Sequence, residues 1–301
     1  MVLNATETRP APGASAPRPN GERASRLRRR RPGRTTGRYV LVWVMTLAFV
    51  FPFLAMLSTA FKLPADIFSA PPTLWPKEWT LDNFVAVFDE IPFWQYLWNT
   101  IVIAALSVLG MLIASPLVAY SLAKIGWRGQ RPLLIIVMAT MMLPPQVTMI
   151  PLFLMWNGLG ATNSIIPLVA PAFFGTPFLI FMLRQFLMSV PNELLQAARI
   201  DGASEFRIYW SIVLPQARPA LITAVIFQFV WAWTDFLNPL IYLNDSSKYT
   251  LSIGLYSFFG EHNVEWGPLM AASVLFTVPA LALFVVFQRY FVGGISAGAL
   301  K

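Results

Sequence analysis

The side chains able to do chemistry in this chain are few, and most of them crowd into one stretch. Between Pro191 and Pro215 the sequence reads PNELLQAARIDGASEFRIYWSIVLP, with Glu193, Asp201 and Glu205 set among Arg199 and Arg207. Carboxylates this close could share acid–base work, but among so many guanidinium groups ion pairing is their ordinary fate. Another carboxylate, Asp235, stands in WAWTDFLNPL, inside an otherwise uncharged run. With Trp233 and Asn238 it could line a path for a polar solute through an apolar medium. Alternatively it caps short helices, a reading that Asn238 and Pro239 also support. The single histidine, His262, falls in a polar loop and reads as a solvated side chain. Cysteine is absent, which removes thiol nucleophiles, disulfides and cysteine-ligated metals. There is no GxxxxGK(S/T) phosphate loop, and no HExxH, GxSxG or paired-carboxylate arrangement lies on a plausible face. No catalytic, metal or cofactor site is predicted.

What must position these groups is a very apolar chain. Hydrophobic residues make up 56% of it and charged residues 12%, against roughly 45–50% and 25% in soluble domains. The excess sits in blocks too long for globular helices. The stretch 39–60 carries no charge, 132–183 is long enough for two crossings of about 20 residues each, and 266–288 is again uncharged. Six spans are predicted, at 39–60, 100–123, 132–155, 164–186, 219–243 and 267–288. Backbone in hydrocarbon must satisfy its own hydrogen bonds, and the runs are too continuous for alternating barrel strands. The expected fold is therefore an all-α integral membrane protein. Pro144, Pro145 and Pro151 in the third span should bend it, as should Pro167, Pro171 and Pro177 in the fourth and Pro239 in the fifth.

Lysine and arginine set the orientation. Six spans put both termini on one side, and that side would hold nineteen of the 22 basic residues, leaving only Lys62, Lys77 and Lys248 opposite. The positive-inside rule makes the basic side cytoplasmic, and five or seven spans would divide the clusters between the faces. The net charge of +8 thus reports topology before it reports a ligand. Residues 1–38 are rich in Pro, Ala and Arg and poor in large apolar side chains, so a disordered cytoplasmic tail that touches anionic lipid is expected. Nucleic acid is not expected as a partner of the run 28–31. The apolar stretch 39–60 exceeds the roughly 7–15 residues of a cleaved signal and is read as a retained span. On the outer side, Trp75, Trp79, Trp94 and Trp98 suit the headgroup level. Leu81, Phe84, Val85 and Phe88 recur at helical spacing behind Thr80 and Asp82, which predicts a short surface helix with Thr80 as its cap.

The polar stretch can now be read as an object. Pro191 suits a first helical turn, and Glu193 complements the dipole there. Leu194, Leu195, Ala198 and Ile200 give an apolar side, and Ala197 with Ala198 keeps the surface low. Gly202 permits a turn, Ser204 can cap a second helix carrying Phe206, Ile208, Tyr209 and Ile212, and Pro215 should end it. Two short helices at a glycine elbow, tied to the spans on either side, form a docking element able to pass a partner's force into the membrane.

The spacing Ala197-Ala198-x3-Gly202-x9-Ile212-x-Leu214-Pro215 resembles the EAA signature of binding-protein-dependent ABC importer permeases. PNELLQAARIDGAS resembles the carbohydrate-uptake branch, as do KLPADIF, PPTLWPKEWTLDNF, WAWTDFLNPL and the ending RYFVGGISAGALK. Together these cover most of the chain after residue 38 and are most similar to the smaller transmembrane subunit of maltose-type systems. One departure is that Gln196 stands where the signature opens with Glu; a neutral hydrogen bond, or Glu193, would replace that charge. The resemblance implies a type I ABC importer permease fold over 39–301, in a bacterial-type inner membrane, with 187–218 as the cytoplasmic coupling loop. It implies that Glu193, Gln196, Ala197, Ala198, Asp201, Gly202, Ile212, Leu214 and Pro215 form that loop's docking geometry. It implies a second permease subunit, two ATP-binding cassette subunits that use the ATP, an extracytoplasmic solute-binding protein and a sugar substrate. Glycerol-phosphate or polyol solutes share the scaffold, and a secondary transporter is the reading from another class.

Overall fold

Proline and glycine punctuate the apolar stretches, and the helices start and stop at them. The computed structural model describes residues 32–71, 73–260 and 264–298, with side chains from 37 to 288. Residues 1–31 and His262 lie outside the described residues. All regular elements among the described residues are helical, apart from one isolated bridge between Phe259 and Val264.

The chain divides at Val50 into two units. The first holds the opening of α1 (Pro32–Ala60), where every side chain from residue 37 to 50 is exposed. A helix apolar on all sides is at home in hydrocarbon rather than in water.

The second unit is organised around α4 (Phe93–Tyr120), which continues through a π-helical turn at Ser121–Ile125. Small residues line its buried faces: Ala104, Ser107, Gly110, Ser115 and Ala119. Such residues let helices approach closely where water supplies no driving force. A Cβ at Gly110 would lie 2.5 Å from the Phe173 ring, so glycine is required for that contact. Against α4 pack α7 (Ile166–Phe173), α8 (Pro177–Met188) and α12 (Arg218–Thr234).

Among the described residues, four stretches are long and apolar enough to cross a membrane: Gly37–Ala60, Phe93–Ile125, Ile166–Met188 and Trp266–Gln288. Two further pairs pass only when joined across a bend. In the first pair, α5 (Gln130–Thr140) and α6 (Pro145–Gly158) meet at 99°. The expected kink at 132–155 is thus a full break. Pro145 forces the residue before it out of the helical region, and Pro144 is extended at φ −59°, ψ 133°. In the second pair, Glu205–Gln216 and Arg218–Thr234 meet at 79°. Pro215 therefore does not end its helix. The chain runs from α10 (Glu205–Ile208) through a π turn (Tyr209–Val213) into α11 (Leu214–Gln216), and turns at Ala217 ahead of Pro219.

The expected stretch 219–243 also differs from one kinked helix. Asp235 is extended, and α13 (Leu237–Tyr242) starts afresh with Pro239 in its first turn, where a missing N–H costs nothing. After the single turn of α2 (Pro64–Ile67), the buried residues of α3 (Asp82–Glu90) are Asn83 and Val87, while Leu81, Val85 and Phe88 of the expected apolar stripe are exposed. Leu81 takes the cap position, and the Thr80 hydroxyl accepts the Asp82 N–H at 3.0 Å. Asn83 donates to the Ala60 and Lys62 carbonyls at 3.0 and 2.8 Å, answering backbone acceptors left open where α1 ends. Trp75, Trp79, Trp94 and Trp98 are all exposed.

Two cores result. One gathers Ala60, Val87, Phe93 and Tyr96 with Leu251 of α14 (Leu251–Tyr256) and Leu269 of α15 (Trp266–Gly298). The other gathers Met111 and Tyr120 of α4, Leu179 and Leu183 of α8, and residues of the polar stretch 191–215.

Candidate functional site

The stretch that concentrates the ionisable residues is built on the second core. Helix α9 (Asn192–Ile200) follows Pro191, which takes the cap position, and opens with Glu193 in its first turn. Its faces divide cleanly. Leu195 is buried and Ala198 half-buried, packed with Leu187, Val190, Ile208 and Val213. Glu193, Gln196, Ala197 and Ile200 are exposed at i, i+3, i+4 and i+7, so they form the opposite face. The apolar stripe expected from Leu194, Leu195, Ala198 and Ile200 is therefore not one surface. Ile200 is 86% exposed and belongs to the outer face.

The elbow closes by paired backbone bonds. The Ala203 N–H donates to the Ala198 carbonyl at 2.9 Å and the Gly202 N–H to Arg199 at 3.0 Å, with Gly202 at φ +79°. This is the Schellman closure of a helix end, which needs a left-handed residue at this place. A Cβ on Gly202 would meet nothing within 4 Å, so the constraint is purely one of backbone conformation. Ser204 then caps α10, its hydroxyl accepting the Arg207 N–H at 3.3 Å. Asp201 is exposed beside the elbow. Further along, Ile212 and Leu214 are half-buried, Val213 is buried in the core, and Pro215 is exposed. The distal part of the pattern thus seats the loop on its own protein, whereas Gln196 and Ala197 face outward. Phe206 and Trp210 stack at 6.5 Å on the exposed side.

Sequence reading placed Glu193, Asp201 and Glu205 together as ion-pairing carboxylates, and the described ion pair of this loop is Arg199–Glu205 at 2.6 Å. It missed the groups that tie the loop to α4. The Tyr120 hydroxyl donates to the other Glu205 oxygen at 2.7 Å. Lys124 donates to the Val190 carbonyl at 2.6 Å and to Asn192 Oδ1 at 2.7 Å. Where the π turn frees the Leu122 carbonyl, Arg184 Nε donates to it at 3.0 Å, and Gln130 donates to it as well. A polar tip on Tyr120 late in an apolar run was the one available hint, and its partner lies 85 residues away.

The second candidate group sits at the α12–α13 break. The Asp235 carboxylate accepts from the Asn238 N–H at 3.2 Å and from Asn238 Nδ2 at 2.9 Å, so it caps α13. Its carbonyl accepts from the Ser252 hydroxyl at 2.7 Å. Trp233 is buried, lies against Phe229 and Phe276, and donates from Nε1 to the Phe276 carbonyl at 3.0 Å. Among the described residues no group of three or more metal-ligating side chains occurs. The letters GISAG at 294–298 match GxSxG, but their backbone lies within α15, whereas a nucleophile elbow needs a strand-to-helix turn.

Comparison with known proteins defines the class. Residues 107–296 match the family described as binding-protein-dependent transport system inner membrane component. An arabinooligosaccharides transport system permease protein of Halalkalibacterium halodurans is 33% identical over 272 residues, 87% of this chain and 97% of that protein. A diacetylchitobiose uptake system permease protein of Streptomyces coelicolor is 32% identical over 259 residues, 86% of this chain and 94% of that protein. Among solved structures, a chain of a bacterial ABC transporter involved in the import of the acidic polysaccharide alginate superposes with a TM-score of 0.76 at 25% identity, covering 87% of this chain and 98% of that chain. The chain belongs to this family of binding-protein-dependent permeases and has the type I ABC importer permease fold.

Proposed function

We propose that this chain is a transmembrane subunit of an ATP-driven importer of sugars or oligosaccharides, and that residues 187–218 are its cytoplasmic coupling loop. The chain crosses the membrane six times with both ends inside: α5 and α6 together make one bent crossing, and the fifth crossing starts at α12, after the coupling loop. A second permease subunit completes the path, and two ATP-binding cassette subunits bind and hydrolyse ATP, none being bound here. An extracytoplasmic solute-binding protein delivers the sugar. Asp235 and Asn238 stand near the path at the α12–α13 break.

The observation that carries this reading is the two-faced α9 ending in a glycine-turned elbow. One face is welded to the core, and the other offers Gln196 and Ala197 to a partner. The sugar class is supported by the relatives' own transport of arabinooligosaccharides and diacetylchitobiose. The orientation is supported by the basic residues, nineteen of 22 of which fall on the loop's side.

The absence of cysteine makes a clean test. Ala197→Cys introduces a lone thiol on the exposed face. It should react with a membrane-impermeant maleimide only after permeabilisation, and assembly with the ATPase should protect it. Labelling of intact cells, or labelling indifferent to the ATPase, would overturn the proposal.

A further inference from the structure

Helix α9 is held at both ends by one neighbour. At its start, Lys124 reaches the Val190 carbonyl and the Asn192 side chain. At its end, Arg199 grips one Glu205 oxygen across the Gly202 elbow, and Tyr120 donates to the other. Tyr120 and Lys124 lie four residues apart, at the end of α4 and in its π turn, so they serve neighbouring positions on one helix end. A single carboxylate thus joins α4, α9 and α10. The joint is firm because the Tyr120 ring is buried and lies 5.4 Å from the Tyr209 ring, which leaves its hydroxyl little freedom. Beyond this point α4 packs on α7, α8 and α12.

We propose that Tyr120 is a positioning residue for coupling: its hydrogen bond to Glu205 makes α4 the helix that receives the movement of α9, with Arg199 holding the elbow shut and Lys124 as the second attachment. The proposal rests on the coupling-loop reading above. If α9 tilts as a body, Gly202 would absorb the motion unless the Arg199–Glu205 pair spans the elbow. With the pair in place the motion is delivered to Tyr120, and so to the centre of the bundle.

The test uses the complete transporter in proteoliposomes with its binding protein, reading solute uptake and ATP hydrolysis together. Tyr120→Phe keeps the ring and removes only the hydroxyl. We expect hydrolysis to persist while solute taken up per ATP falls about tenfold, the scale on which losing a hydrogen bond to a charged group shifts a two-state equilibrium. Glu205→Gln should fall at least as far, because it also weakens the Arg199 pair, and the double variant should be no worse than Glu205→Gln alone, because the Tyr120 hydroxyl acts only through that carboxylate. Lys124→Met should add to Tyr120→Phe, being a separate attachment. A Tyr120→Phe transporter that assembles less but keeps the wild-type ratio would show packing alone and overturn the proposal. Independent, additive losses for Tyr120→Phe and Glu205→Gln would overturn it too. Absence of ATP-dependent uptake in the wild-type complex would instead sink the coupling-loop reading itself.

Discussion

Replacing Gly202 isolates the elbow from everything around it. The residue sits at φ +79°, and a Cβ placed there would touch no atom within 4 Å. The cost of Gly202→Ala is therefore conformational alone, about 1–2 kcal/mol for a side-chain-bearing residue held in the left-handed region. That shifts the closed–open balance of the elbow by roughly 5–30-fold. Gly202→Val adds a branched side chain that resists this region further, while Gly202→Asn should be the mildest change. A control exists within the chain. Gly160, at φ +66°, closes α6 with the same bond pattern, from Gly160 N–H to Asn157 and from Ala161 N–H to Trp156, and it too has open space. Gly160→Ala should carry the same conformational penalty in a different loop. The assay is solute uptake per ATP hydrolysed in proteoliposomes. Gly202→Val should hydrolyse ATP with little uptake, Gly202→Ala should be intermediate, and Gly160→Ala should keep the wild-type ratio. A wild-type ratio in Gly202→Val, or an equal loss in Gly160→Ala, would refute the reasoning.

Leu195→Ala empties a fully buried position under α9 and should cost about 2–5 kcal/mol, seen as a lower melting temperature and poor recovery of the complex. Asn83→Ala removes two hydrogen bonds to the Ala60 and Lys62 carbonyls and should cost about 1–3 kcal/mol by thermal unfolding in detergent. The Glu90 carboxyl is held above its ordinary range, first by burial and then by Glu265 and Asp89. It binds its proton more readily folded than unfolded, so its stabilising contribution is present at low pH and fades as pH rises through the raised value. Because Glu90 is mostly solvated, Glu90→Gln should stabilise by only a few tenths of a kcal/mol near neutrality and by nothing near pH 4. Gln196→Glu should make ATPase docking more salt-dependent than in the wild type, measured as affinity across sodium chloride concentration; equal salt dependence would refute it.

The apolar runs made the helical class legible, because hydrocarbon leaves the backbone few options. The breaks were less legible than the runs. Pro144 and Pro145 announced a bend, but a kinked helix and a 99° turn share the same letters, and only packing around them decides. Pro239 misled because a proline in a first helical turn looks, in sequence, like one in the middle of a helix. On α3 the spacing of Leu81, Val85 and Phe88 signalled a helix correctly but not which way it faces. For a helix at a membrane surface the apolar stripe has two possible hosts, and here Asn83 and Val87 face the core. In the loop, Gly202 and Ser204 were readable because their roles are local. Tyr120 and Lys124 were not, since nothing local ties them to Glu205 or Val190.

The split of α9 bears on how a neutral residue can stand where the EAA signature that this loop resembles opens with an acid. A carboxylate at position 196 would lie one turn from both Glu193 and Arg199. It would meet like charge on one side, and on the other it would compete for a guanidinium that closes the elbow at 2.6 Å. Gln196 leaves that pair undisturbed and still offers hydrogen-bond donors and acceptors on the exposed face. Around it, Ala197 keeps the surface low, and Ile200 adds exposed apolar area beyond it. On the proposed coupling-loop reading, an outer face of this kind would bind through fit and desolvation more than through charge. Its grip would then depend on α9 being held at one angle, and the Leu195 core, the glycine closure and the contacts to α4 together hold α9 in place.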